Sequence, residues 1–265
     1  MLKVSHLNAW YGEAQVLKEV SVSVDQGQVV VMLGPNGHGK STLLKAICGL
    51  AERIDGEIAY QGRSIGRLST DKLVNMGVVY IAENRELFPY MTVQENLKLG
   101  AYAKAARPHE KKNMEKVYSL FPRLKERKKQ LASTMSGGEA KMLAVARGLM
   151  SNADFLCIDE PSLGLQPSLR MELFSTIREI NTQGKTILLV EQNIPHIAEL
   201  ADKVYVMEEG RRSFEGDTDE ALGNQHLKEI FLGMQNRMFS EDTILLFYEI
   251  TDVIIAGLST GSVYA

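Results

Sequence analysis

At 265 residues the chain is long enough to bury one substantial core with a small subdomain beside it. Its 45% hydrophobic and 24% charged residues are ordinary for a globular protein. A formal net charge of -3 argues against nucleic acid as the main partner, because such partners select basic surfaces.

The two cysteines, Cys48 and Cys157, stand alone in apolar stretches. They read as buried reduced thiols of a cytosolic protein, not as a metal or disulfide framework. The start Met1-Leu2-Lys3-Val4 has no apolar leader core, which argues against export. No apolar run reaches the roughly 18–20 residues that span a bilayer.

Residues 1–33 read as strands. Val20, Val22 and Val24 alternate with polar neighbours, and 28–33 runs apolar before a glycine cluster. A helix is expected from Lys40 to about Gly49, and strands at 57–60 and 77–82. From Val93 to about Met150 the pattern turns helical, with Lys and Arg crowded into 104–130. Short apolar runs at 154–159 and 185–191 are bounded by turn signals, as in buried parallel strands. Helix patterns occupy 167–181 and 217–232. Strands alternating with helices imply an α/β fold with a parallel sheet, and 93–150 reads as a helical insertion. No internal repeat is evident.

Gly34-Pro35-Asn36-Gly37-His38-Gly39-Lys40-Ser41 fits G-x-x-x-x-G-K-[ST], the P-loop, between an apolar strand and a helix. Its glycines allow left-handed backbone and close approach to phosphates. Successive N–H groups and the helix start, including Thr42, offer positive partial charge. Lys40 is placed to reach the β- and γ-phosphates of ATP, and Ser41 to ligate Mg²⁺. His38, a lone histidine, reads as structural or solvated.

Ile158-Asp159-Glu160 ends an apolar strand in two acids. Alone, the pair serves equally as a solvated strand end. After a P-loop, Asp159 reads as a Mg²⁺-holding Walker B aspartate, and Glu160 as the base that orients the attacking water. Ser136-Gly137-Gly138-Glu139 opens a helical pattern and makes a second anion-binding helix start. One γ-phosphate needs one cradle, so the second is expected to face the ATP of another subunit.

The order P-loop, Ser-Gly-Gly-Glu, then Ile-Asp-Glu-Pro resembles the ABC-transporter ATPase family over residues 1–233. Met135 stands where Leu is usual in its signature motif, and Glu139 where Gln is usual. The resemblance implies an ABC ATPase fold: a P-loop core, an antiparallel β subdomain and a helical subdomain near 93–150. It implies ATP hydrolysis at two composite sites in a dimer. Lys40, Ser41, Asp159 and Glu160 would come from one chain and residues 136–139 from the other.

Further roles follow from the resemblance. Tyr11 matches the aromatic that stacks on adenine, with a strand-end core aromatic as the alternative. Glu83 takes the place of the glutamine that contacts Mg²⁺ and senses the permease. Residues 162–165 match the loop that touches the opposite subunit. Gln192 stands where most relatives carry a switch histidine. Its amide can donate to a γ-phosphate but cannot shuttle a proton.

The stretches Ala82-Glu83-Asn84-Arg85-Glu86-Leu87-Phe88-Pro89, Thr92-Val93-Gln94-Glu95-Asn96-Leu97 and Leu189-Val190-Glu191-Gln192-Asn193 are similar to ATPases of branched-chain amino-acid importers. Urea and amide importers look alike, and a soluble non-transport ABC ATPase is the other alternative. The implied partners are a second ATPase subunit (identical or a paralogue), membrane permease subunits and, indirectly, a substrate-binding protein. The implied location is peripheral, on the cytoplasmic face of the membrane. Residues 234–265 form an extension whose end resembles the first membrane helix of a permease. It reads either as a fusion or read-through fragment or as an ordinary amphipathic helix.

Overall fold

The computed structural model describes residues 1–84, 86–192, 200–224 and 227. The expected domain end at 233 and the 234–265 extension lie outside these residues. Of the helix expected at 217–232, residues 225, 226 and 228–232 also lie outside them. The chain divides into two compact units, Met1–Ala221 and Leu222–Ala265. In the second, the Leu227 amide donates to the Asn224 side chain at 3.2 Å.

The first unit carries two sheets. Strands β1 (Leu2–Tyr11), β2 (Ala14–Val24), β4 (Arg53–Tyr60) and β5 (Arg63–Ser64) form an antiparallel sheet in the order β2-β1-β4-β5. Val20, Val22 and Val24 of β2 all point into the core, as their alternation requires.

The second sheet contains β3 (Val29–Leu33), β6 (Val78–Ile81), β7 (Phe155–Asp159), β8 (Thr186–Val190), β9 (Lys203–Glu208) and β10 (Arg211–Gly216). Its order is β10-β9-β3-β8-β7-β6, parallel except for the β9–β10 hairpin. Every residue of β3, β7 and β8 is buried, as expected where both faces of a parallel sheet are covered.

One hydrophobic core serves both sheets. It joins Leu2, Leu17 and Tyr60 of the antiparallel sheet to Met32, Phe155 and Leu188 of the parallel one. The Tyr60 and Phe155 rings meet edge to face with centroids 6.0 Å apart. Each such buried side chain contributes about 1.5–3 kcal/mol by leaving water.

Helix α1 (Lys40–Ile47) follows β3 directly, and α2 (Thr70–Asn75) precedes β6. The stretch expected to be a helical insertion holds α3 (Val93–Gly100), α4 (Glu110–Leu120), α5 (Pro122–Glu126) and α6 (Gly137–Leu149). Thr92 and Glu95 form a capping box that starts α3. A Cβ at Gly100 would lie 2.1 Å from the Arg147 carbonyl, so the absence of a side chain lets α3 and α6 cross closely. Helices α7 (Pro167–Thr182) and α8 (Thr218–Gly223) complete the described α-helices.

Strands β5, β9 and β10 and helix α2 go beyond the elements expected from the sequence. Strand β9 has a four-residue apolar run, Val204 to Met207. It is short, and β10 beyond it is largely exposed and charged, without a period-2 pattern.

Candidate active site

The 34–39 loop joins the C-terminal end of β3 to the first turn of α1. Gly34 has φ 143°, and a Cβ there would sit 2.2 Å from the Met207 carbonyl of β9. Only glycine lets the loop leave the sheet this close to its neighbouring strand. Asn36 and Gly37 are exposed, while Thr42 is buried. His38 is half-buried, and its Nδ1 accepts the Glu209 backbone N–H at 2.9 Å. That bond ties the loop to the β9–β10 turn and turns the ring into a structural acceptor.

Lys40 lies under the loop, 3% exposed. Its ammonium donates to the Gly34 and Pro35 carbonyls at 2.8 and 2.9 Å and stands 3.5 Å from Glu160 Oε1. Burial pulls its pKa down, and the Glu160 charge opposes that. The loop amides, the α1 start and this ammonium form an anion cradle.

Asp159 and Glu160 stand at the C-terminal end of β7, next to α1. The Ser41 hydroxyl donates to Asp159 Oδ1 at 2.9 Å, and the Tyr80 hydroxyl donates to Oδ2 at 2.7 Å. Burial raises the Asp159 pKa, and these two hydrogen bonds counter it. Burial also pushes the Tyr80 phenol up, with Asp159 adding to the shift.

Glu160 is 6% exposed, with φ 42° in the left-handed region that a non-glycine residue rarely takes. Its surroundings hold that conformation. Its N–H donates to the Val190 carbonyl at 3.0 Å, and its carbonyl accepts from Lys141 Nζ at 2.8 Å. Its Oε2 accepts a short hydrogen bond from the Gln192 side-chain amide.

The structure therefore brings Lys40, Ser41, Asp159, Glu160 and Gln192 into one cluster. Tyr11 sits at the end of β1, 39% exposed, paired with Ala14. Glu83 is half-buried in the turn after β6. Among the described residues, no hydrogen bond or ion pair joins either side chain to the cluster.

Residues 136–139 are likewise unconnected to it. Ser136 caps α6: its hydroxyl accepts the Glu139 N–H at 3.3 Å, and Glu139 returns a bond to the Ser136 N–H at 2.9 Å. That bond, and then the Arg127 guanidinium 3.2 Å away, hold the Glu139 carboxyl below its usual value. Ser136 and Gly137 are exposed, so this helix start is open to another molecule.

The donor set at Asp159 and Ser41 fits Mg²⁺, which favours a few hard oxygens and keeps water or phosphate on its other positions. Among the described residues, no group of three or more His, Cys, Asp or Glu side chains is placed to hold a metal by itself. The set therefore suits an ion that arrives with substrate phosphates.

Three residues in this cluster were missed in the sequence. Tyr80 and Lys141 are polar groups set in otherwise apolar elements, a signal that needs the packing partner before it can be read. Glu191 follows the last residue of β8 just as Glu160 follows the last residue of β7, and that parallel was visible.

The family model for ABC transporter matches residues 17–163. The chain belongs to the ABC transporter family. It is an ATP hydrolase of the ABC type, with that family's α/β fold.

Two relatives in the family are similar along most of their length. The chain is 40% identical over 233 residues to the high-affinity branched-chain amino acid transport ATP-binding protein BraG of Pseudomonas aeruginosa, covering 88% of this chain and 100% of BraG. It is 35% identical to the probable branched-chain amino acid transport ATP-binding protein LivF of Archaeoglobus fulgidus, covering 88% and 99%. Among solved structures, a nucleotide-free ATP-binding cassette from an ABC transporter superposes with TM-score 0.76 at 28% identity, covering 87% of this chain and 98% of that one. A cassette in its ADP conformation gives 0.75 at 28% identity, covering 88% and 98%.

Proposed function

We propose that this ABC ATPase energises a membrane importer for branched-chain amino acids. One observation carries the catalytic part: Lys40 and Glu160 face each other at 3.5 Å beneath the glycine loop, next to the Ser41–Asp159 pair. The substrate class is supported by the matches to BraG and LivF, whose chains are covered almost end to end.

In this proposal the 34–42 segment cradles the phosphates through its backbone N–H groups, and Lys40 neutralises the β- and γ-phosphates. Bound Mg²⁺ would neutralise developing charge on the phosphates, held by Ser41 and by Asp159 through water. Glu160 accepts the proton of the attacking water. Gln192 orients the Glu160 carboxylate and can donate a hydrogen bond to the departing phosphate. Tyr11 stacks on adenine, and Glu83 takes an outer position toward the ion.

Residues 136–139 of a second subunit close each site from the other side. Their exposed helix start supports this role, because the positive end of α6 opens to another molecule there. The chain then works peripherally against permease subunits. Among the described residues, no helix is long and apolar enough to cross a membrane. The amino acid itself binds elsewhere in the assembly.

Co-expression with permease and binding-protein partners, followed by reconstitution, tests the proposal. Leucine, isoleucine or valine should stimulate phosphate release and be taken up with ATP inside the vesicle. Stimulation by urea or short amides alone would overturn the substrate class. Phosphate release indifferent to every membrane partner would overturn the transport role.

A further inference from the structure

The end of β8 holds a second buried carboxylate that has no part in the proposed chemistry. Glu191 is 2% exposed, and its backbone N–H donates to the Met32 carbonyl of β3 at 3.1 Å. Its Oε1 accepts the Ser162 backbone N–H at 3.0 Å. Its Oε2 accepts the Ser162 hydroxyl at 2.9 Å and the Gln192 backbone N–H at 3.2 Å. Gln192 in turn donates its side-chain amide to Glu160 Oε2. An unbroken polar line runs from Ser162 through Glu191 and Gln192 to Glu160.

A charge at this depth is costly unless several donors meet it. The preceding residues Leu188, Leu189 and Val190 show that the strand otherwise selects apolar side chains. Burial raises the Glu191 carboxyl above its usual value, and the Ser162 and Gln192 bonds oppose the shift. A fully bonded buried network fixes one geometry for all its members.

The 162–165 loop has an inward anchor and an outward tip. Ser162 and Leu165 are buried, whereas Leu163 and Gly164 are exposed. A contact on the tip reaches the interior through Ser162, which is bonded to Glu191 twice.

We propose that Glu191 is a positioning residue for hydrolysis. It clamps the 162–165 loop and the Gln192 backbone to one carboxylate, so that Gln192 holds the Glu160 carboxylate in a single orientation. Displacing the loop tip then displaces the base. This inference rests on the assignment of Glu160 as general base.

The test uses the full chain with MgATP. Glu191→Gln keeps the shape but gives up one of the two carboxylate oxygens. It should lower kcat by about tenfold or more, with KM for ATP within about twofold and nucleotide still bound at one per folded chain. Ser162→Ala should lower kcat less, and should add little in the Glu191→Gln background, because both changes cut the same line. Glu191→Asp keeps the charge and should recover part of the rate.

Unchanged kcat in folded Glu191→Gln overturns the proposal. So does a loss that vanishes once the rate is divided by bound nucleotide, which marks a merely structural role. If Glu191→Gln does not fold, Ser162→Ala decides: an unchanged kcat there overturns the clamp. Glu160→Gln measured alongside separates the two claims. If it hydrolyses normally, the assignment of the base fails. If it is inactive while Glu191→Gln is normal, only the positioning role fails.

Discussion

Tyr80 in β6 and Asp159 at the end of the neighbouring parallel strand β7 are joined, the phenol donating a 2.7 Å hydrogen bond to the carboxylate. With Ser41 on the other oxygen, Asp159 is gripped from both sides. A carboxylate held by two hydroxyls keeps its position while its remaining lone pairs stay available to ordered water.

Tyr80→Phe removes one grip without changing the packing volume much. A hydrogen bond to a charged group is worth about 1.5–3 kcal/mol, so the folded chain should lose stability of that order. The Mg²⁺ concentration giving half-maximal ATP hydrolysis should also rise several-fold. A Mg²⁺ titration of phosphate release reads the effect, and an unshifted midpoint would detach Tyr80 from the ion's site.

Lys40→Ala removes the ammonium that stands under the phosphate loop, 3.5 Å from Glu160 Oε1. Loss of a preorganised donor to developing charge costs on the order of 10²–10³ in rate. Phosphate release should fall by that factor, and ATP binding should weaken. Turnover near that of the unmodified chain would contradict the role given to the 34–42 segment.

The architecture was legible in the sequence where pattern and motif coincide. The buried strands β3, β7 and β8 are apolar runs that end in a glycine cluster or an acid. The loop from Gly34 to Ser41 carries its own spacing rule. What the sequence hid is partnership. Nothing in the Val78–Ile81 stretch says that Tyr80 reaches Asp159, because that depends on β6 and β7 being neighbours. Nothing in α6 says that Lys141 ends on the Glu160 carbonyl. The β9–β10 hairpin escaped because β10 is exposed on an edge and carries charge in place of alternation.

Gly100 tests the packing of the helical subdomain apart from any chemistry. Gly100→Ala forces a methyl against the Arg147 carbonyl, where 2.1 Å is available. Overpacking of this kind costs about 1–3 kcal/mol. Denaturant unfolding should show that loss. A change within about 0.5 kcal/mol, the range of an ordinary surface substitution, would mean that α3 and α6 do not cross this closely.

Glu139 supplies a pH test. Its carboxyl is held below the ordinary glutamate value of about 4.5, first by the Ser136 backbone bond and then by other partners that include Arg127. A depressed folded value means that the stabilisation is present above about pH 4.5 and is lost as pH falls through the lower folded value. Thermal unfolding of the unmodified chain and Glu139→Gln should therefore differ at pH 7 and converge toward pH 3. A difference that stays constant with pH would remove the charge from the capping box.

The most direct measurement is phosphate release and size-exclusion chromatography of Glu160→Gln in MgATP. The amide can hold a water but cannot take its proton. The account predicts ATP bound but not hydrolysed, and two subunits held together by the trapped nucleotide. Hydrolysis at the rate of the unmodified chain would contradict it.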